Sequence, residues 1–228
     1  MANENSVADW AKKYKAGYGI QFPEGHVIRT WVRVLQFELG WKPNEGRSIL
    51  DFGCGTGAHL AYFDGLGFEV SGVDVAQDAI LRCKELFPDR QDRFVTISHA
   101  QNMEEVFSKN SFDLILANQS LYYLNDKELK ACLAQMKSLL KPGGVLLASL
   151  MGPGHNYLNY VVDETDEGLK RIEANYRGHM ASWINFVDSK EEMLSLFSDF
   201  NVLHLGWYDF VIREQEGSSF HYWMICQK

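Results

Sequence analysis

The chain has 228 residues, 46% of them hydrophobic, and 22 basic against 30 acidic side chains give a formal charge of -8. That length suits one generous domain, able to bury roughly 70% of its unfolded surface without disulfide or metal staples. The acidic balance, with no basic stripe along the chain, works against binding a long polyanion, and four scattered cysteines (Cys54, Cys83, Cys132, Cys226) with no CxxC pair exclude a zinc knuckle or disulfide framework.

The N-terminus, MANENSVADWAKKYKAGYG, is polar and aromatic without the apolar core of a signal peptide, and no later run approaches a membrane span. A soluble, cytoplasmic protein with no membrane contact and no metal is expected. Ser6 and Asp9 form a capping-box pattern that starts a short first helix carrying Trp10 and Tyr14 on one face. GYGIQFPEG breaks it. HVIRTWVRVLQFELG is helical by the spacing of Val27, Trp31, Val34 and Leu35 until Gly40 closes it. Residues 1–40 thus read as a helical lid.

ILDFGCGTG follows as a strand with a glycine-rich turn, then AHLAYFDGLG as a helix and FEVSGVDV as a second strand. QDAILRCKELF is helical and RFVTISH a third strand. SFDLILAN is almost continuously apolar, as a central strand covered on both faces should be. Asn125 with Glu128 makes a capping box for a helix through Leu129, Leu133, Met136 and Leu140 to KPGG, and GVLLASL is a fifth strand. Alternation of strand and helix predicts a doubly wound, mostly parallel α/β sheet with helices on both faces. Residues 152–187 have no clean period but are crowded with His155, Asn156, Tyr157, Tyr160, His179 and Trp183, and read as an inserted cap. Residues 188–228 give a final capped helix and an antiparallel hairpin, VLHLGWYDFVI and SFHYWMICQK, to complete seven strands.

In an open parallel sheet, ligands sit beyond the carboxyl ends of the strands. Gly53, Gly55 and Gly57 allow positive φ and close approach there, and the helix that follows presents free N–H groups. Asp74, read as an exposed carboxylate at the end of the second strand, can accept both hydroxyls of a ribose. Two nucleotide chemistries compete. Gly53, Gly55 and Ala58 satisfy GxGxxG/A, and Tyr123 with Lys127 makes a YxxxK like that of short-chain dehydrogenases. That pair comes too soon after the glycines, and Asp51 suits a cationic amino group better than a pyrophosphate.

Together ILDFGCGTG, VSGVDVAQDAI, SFDLILANQSLYYLND and LKPGGVLLASL, in order over about residues 47–150, resemble the class I S-adenosylmethionine-dependent methyltransferases. The resemblance implies a Rossmann-like fold with residues 47–150 as the cofactor-binding core, S-adenosylmethionine as cofactor and S-adenosylhomocysteine as product. Carried over, Gly53, Cys54 and Gly55, with Gly57 closing the turn, line the methionine part, and Asp51 lies near its amino group. Asp74 holds the ribose and Val75 flanks the adenine. SHAQNM has His99 where the family usually has an acid, so Ala100 and Gln101 share the adenine amino contact. Asn118 lies beneath the methionine, and Tyr14 and Tyr18 close over it.

A methyl acceptor that is an amine must arrive unprotonated, and a hydroxyl needs a base. His155 and Tyr123 are the catalytic candidates, with His26 a third. Tyr18, Tyr122, Tyr123, Asn156 and Tyr157 are the candidate acceptor contacts. NQSL replaces the [D/N]PP[Y/F] that methyltransferases acting on base amines carry after strand four, so nucleic acid is not expected and a small-molecule amine or hydroxyl is preferred. A protein or RNA acceptor, or a non-catalytic binding scaffold of this fold, are the alternatives, and monomer and homodimer both stay open.

Overall fold

The computed structural model describes residues 14, 19, 21–98, 101–175, 180–211 and 213–228. The first expected helix, apart from Tyr14, lies outside the described residues, as do Trp10, Tyr18, His99, Ala100 and His179. Helix α1 runs Gly25–Thr30 and continues as a wider π-helical stretch, Trp31–Glu38. Its expected face is the buried one: Val27, Trp31, Val34 and Leu35 are all in the core, and Gly40 ends the element at φ 71°.

Then come β1 (Ser48–Phe52), α2 (Ala58–Gly65), β2 (Glu69–Asp74), α3 (Gln77–Leu86), β3 (Phe94–Thr96), β4 (Phe112–Ala117), α4 (Asp126–Leu139) and β5 (Leu140–Met151). The Asn125–Glu128 capping box is formed in both directions. After three short strands, β6 (Val161–Glu164), β7 (Leu169–Ala174) and β8 (Met180–Asn185), the chain ends in α5 (Lys190–Leu196), β9 (Asn201–Tyr208) and β10 (His221–Gln227). Ser189 caps α5 by accepting from the Glu192 amide.

The main sheet has seven strands in the order β3-β2-β1-β4-β5-β10-β9. The first five are parallel, and β10 pairs antiparallel with both β5 and β9. This is the Rossmann-like, doubly wound architecture with an antiparallel hairpin that the sequence predicts. Strand alternation divides the core. Leu50 and Ile115 face Leu133 and Met136 of α4, while Ile49, Leu114 and Leu116 share the opposite layer with Trp31 and Phe63.

Residues 152–187 depart from an irregular cap. They form a turn, Asn156–Tyr160, and an antiparallel sheet in the order β6-β7-β8. Their period was hidden because β6 is exposed along its whole length and a register shift between Val161 and Asp163 breaks its pairing with β7. Leu169, Ile172 and Ala174 are the buried residues of β7, a spacing that is neither helical nor strictly alternating.

Register brings the ends that matter to one edge. His221 of β10 pairs with Met151 at the end of β5 and with Tyr208 at the end of β9. Helix α1 is fixed over that edge by a buried hydrogen bond from Trp223 Nε1 to Thr30 Oγ1 at 2.9 Å. Replacing Thr30 by Val keeps the volume but strands the indole N–H, so Thr30→Val should lower the unfolding free energy by about 1–3 kcal/mol. Urea unfolding would show this as a lower midpoint at unchanged slope.

Candidate active site

The turn after β1 is held from the end of β2. Gly53 and Cys54 donate their amides to the Val73 carbonyl at 2.8 and 3.0 Å, and the Gly55 amide donates to Asp74 Oδ2 at 2.9 Å. Asp74 Oδ1 accepts from the Ala76 amide at 2.8 Å. Gly53 has φ 77°, and a Cβ there would stand 2.5 Å from Ser120 Cβ, so only glycine fits. A Cβ on Gly55 would press on the Tyr14 hydroxyl at 3.0 Å. Gly57 is the residue before α2.

Asp74 is not the exposed carboxylate that its strand-end position suggested. It is 7% exposed, with its pKa raised by burial against the opposing pull of its amide bonds. Its two oxygens already hold the loop, and a ligand must share them.

A continuous groove follows the carboxyl edge of the sheet. One stretch is lined by Glu24, Gly53, Cys54, Gly55, His59, Asn118 and Tyr122, with Tyr14 shared by its neighbour. The central stretch, about 620 Å³ with solvent at its mouth included, shares Gly53 and Gln119 with the first and adds Asp74, Val75, Ser120 and Tyr123. The far stretch continues past Val75 and Ile97 to Gln101.

Beneath the first stretch, Asp51 is 1% exposed and its Oδ2 has no hydrogen-bond partner among the described residues. Burial, and then the charge of Asp74, push its pKa up to about 8. His59 Nε2 accepts the Glu24 amide at 3.4 Å, so in the neutral ring the proton is on Nδ1, which stands 3.9 Å from Asp51 Oδ2. Burial lowers His59 to about 4. An orphaned acid oxygen beside glycine amides, with a second acid at the next strand end, fits a ligand that carries an ammonium group and ribose hydroxyls.

Residues 49–144 match the family model described as a methyltransferase domain. The ubiquinone biosynthesis O-methyltransferase of Rhodopseudomonas palustris (strain BisB5) is 29% identical over 46% of this chain and 40% of its own. The mRNA cap guanine-N(7) methyltransferase 1 of Oryza sativa subsp. japonica is 26% identical over 72% of this chain and 46% of its own. The chain thus spans about half the length of these curated relatives. In fold it is similar to the Burkholderia thailandensis 1,6-didemethyltoxoflavin-N1-methyltransferase, solved with 1,6-didemethyltoxoflavin and S-adenosylhomocysteine. That likeness has a TM-score of 0.64 at 19% identity, covering 100% of this chain and 90% of that one. Residues 49–144 thus carry a methyltransferase domain, on a fold shared with solved S-adenosylmethionine-dependent methyltransferases.

A second cluster stands beside the groove. The Glu24 carboxylate accepts from the side-chain amides of Asn118 and Gln119. Since Asn118 Nδ2 donates to Glu24, its Oδ1 is the atom that accepts from His26 Nε2 at 2.9 Å. His26 is kept neutral mainly by burial. Gln119 holds a left-handed φ of 55° and donates its amide to Ser149 Oγ at 2.7 Å. Tyr208 is stacked between two imidazoles, His26 at 3.9 Å and His221 at 5.0 Å. Glu24, Ser149, Tyr208 and His221 were not singled out from the sequence. Their only signal is position, because register carries β9 and β10 back to the edge where β4 and β5 end.

His155 lies in this cluster, with its ring 5.2 Å from that of His221 and 4.4 Å from that of Tyr157. Its Nδ1 accepts the Tyr157 amide at 3.1 Å, so the proton of its neutral ring is on Nε2. That geometry makes His155 a donor and removes the base role expected of it. Asn156 also turns away from acceptor contact, since its side chain donates to the Glu216 carbonyl and accepts from Asn159. Tyr123 and Tyr122 line the groove, with ring centroids 4.6 Å apart.

The buried groups set a pH profile. His59, His155 and His221 are lowered by burial to about 4, 3 and 4, so below about 6.5 the unfolded chain binds more protons and stability rises with pH. Asp51 is raised to about 8, so up to that pH the folded chain holds the extra proton and stability falls as pH rises. The histidines outweigh one carboxyl below about 6.5, and above it Asp51 acts alone among these four groups. The ligand-free protein should melt highest near pH ~6.5 and lose stability towards pH ~8. In Asp51→Asn the alkaline decline should vanish, as differential scanning fluorimetry across pH would show.

Proposed function

We propose that the protein transfers a methyl group from S-adenosylmethionine to a small, uncharged acceptor. The observation that carries the reading is a groove in which Glu24 and Asp74 stand beside the glycine turn together with the rings of Tyr14, Tyr122 and Tyr123. None of the described residues lining its first and central stretches is Lys or Arg. An acceptor with phosphates would find no counter-charge there, which disfavours nucleic acid even though one relative is an mRNA cap methyltransferase. Relatives named for O-methylation and for N-methylation leave the methylated atom open.

On this reading Asp51 meets the cofactor's ammonium, Asp74 shares its oxygens with the ribose hydroxyls, and Val75 and Gln101 flank the adenine, with His99 and Ala100 assigned there from sequence. Gly53, Cys54, Gly55 and Gly57 shape the turn against the methionine part, above Asn118. When bound, the cofactor supplies an electrophilic methyl group on a sulfonium. The chain's own task is to align an acceptor lone pair with it and exclude water, which can lower a barrier by ~7–11 kcal/mol. Tyr14 closes the N-terminal side, where Tyr18 is assigned from sequence, and Tyr122, Tyr123 and Tyr157 bound the acceptor. Residues 152–187 form its outer wall, since Asn185 of β8 donates to the Leu124 carbonyl beside the Tyr122–Tyr123 turn.

S-adenosylmethionine and S-adenosylhomocysteine should each raise the melting temperature, and nicotinamide dinucleotides should not. A shift with NAD alone would overturn the cofactor assignment. Asp74→Asn keeps the size of the side chain but not the charge-assisted bonds, each ~1.5–3 kcal/mol, so calorimetry should find cofactor affinity at least ~10-fold weaker in a folded protein. Tyr157→Ala should raise the Michaelis constant for the acceptor while leaving cofactor affinity within about twofold, because the truncated ring would weaken only the acceptor wall.

A further inference from the structure

The tautomer of His221 is fixed by its surroundings. Its Nδ1 stands 2.9 Å from the Ser219 carbonyl oxygen, which can only accept, so Nδ1 donates and Nε2 of the neutral ring holds a lone pair. The turn that presents this carbonyl is itself anchored, with the Ser219 amide donating to Asp209 at 2.8 Å and the Ser218 hydroxyl at 2.9 Å. His221 is 2% exposed, and its Nε2 has no hydrogen-bond partner among the described residues. An acceptor buried without a partner destabilises a fold, and one kept at a ligand edge calls for a ligand donor.

The titratable and charged groups that face the ring come from several elements. They are Tyr122 after β4, Tyr208 at the end of β9, His155 before the 156–160 turn, Asp209, and His26 of α1 on the other face of Tyr208. Except for Asp209, whose oxygens are taken by Ser218 and Ser219, these are neutral rings. Tyr122 also lines the groove, so an acceptor that extends past it reaches His221. A protonated amine would need a free carboxylate here, and Glu24 is occupied by the amides of Asn118 and Gln119. An uncharged ring with a hydroxyl needs only a lone pair and stacking surfaces.

Resting on the methyl-transfer reading above, we propose that His221 Nε2 is the base that takes the proton of an acceptor hydroxyl, and that the acceptor is an aromatic alcohol. The hydroxyl proton passes to Nε2, an oxygen lone pair forms the bond to the methyl carbon, and the carbon–sulfur electron pair stays on sulfur. Positive charge leaves sulfur and arrives on the imidazolium, so the buried chamber gains no net charge.

The test compares catechol with an acidic nitrophenol that is already ionised at the assay pH, in the full chain and in His221→Asn, which keeps a donor towards the Ser219 carbonyl but has no Nε2. Catechol turnover should fall roughly 100- to 10,000-fold in the variant, and nitrophenol turnover should fall less than about 10-fold, because that probe brings no proton. The acid limb of the catechol pH–rate profile should also disappear. Equal loss with both probes, loss with neither, or turnover of benzylamine without either alcohol would overturn the proposal. If no probe is turned over, nitrogen-15 spectra of histidine-labelled protein holding S-adenosylhomocysteine decide it. An unprotonated His221 Nε2 that shifts on adding catechol supports the base, and a protonated or unresponsive one overturns it. Failure of S-adenosylmethionine to raise the melting temperature would instead remove the methyl-transfer reading, and this proposal with it.

Discussion

The carboxylate of Asp74 is the constraint on which the rest of the site depends. A buried acid is costly unless it is hydrogen-bonded, and here the amides of Gly55 and Ala76 meet it from opposite sides. Those bonds bend the chain after β1 back onto β2, and the bend is tight enough that Gly53 must take a left-handed φ against Ser120. The same carboxylate acts on Asp51, whose pKa rises through burial first and the charge of Asp74 second. Two acids so close at one strand edge do not both ionise readily. What would let them do so is a bound cation, which the proposed cofactor would bring.

How much of this was legible depends on whether the information was local. Strand, turn and helix after residue 48 follow from short-range rules, and the acid at the end of β2 from its place in the alternation. The Asn125–Glu128 box is likewise a four-residue fact that the structure repeats. Asp74 was placed correctly but its burial was not, because exposure depends on how far the loop from β1 folds over it. His155 was noticed for its residue type, yet its tautomer is set by the Tyr157 amide, a backbone contact invisible in composition. In the sequence His221 and Tyr208 read only as strand residues. Only the pairing of β10 with both β5 and β9 returns them to the ligand edge.

The four buried side-chain atoms without a partner among the described residues are His26 Nδ1, Asp51 Oδ2, Ser120 Oγ and His221 Nε2. Each is tied to the same edge of the sheet: Asp51 near the end of β1, Ser120 just past β4, His221 at the start of β10, and His26 through Asn118. Among the described residues the other buried side-chain N and O atoms are satisfied and these four are left at one place, which is what a site arranged for a ligand rather than for stability looks like. They also differ in kind. Asp51 offers an acid to a cation, whereas the two imidazoles offer neutral lone pairs.

That difference has a direction. On the proposed reading the cofactor arrives with positive charge on sulfur and leaves neutral, so the reaction carries one positive charge away from the strand ends that bear Asp51 and Asp74. A group that receives it must be uncharged beforehand, and burial is what keeps His26, His155 and His221 uncharged, since desolvation is the leading cause of each lowered pKa. Of the three, His155 has already committed its Nδ1 lone pair to a backbone amide. His26 is wedged between the faces and edges of Tyr208 and Trp223 with its Nε2–H held by Asn118. His221 alone combines a tautomer fixed by a backbone carbonyl with an unpartnered Nε2, the nitrogen farther from its own backbone, so the charge that leaves the cofactor side has one well-defined place to go.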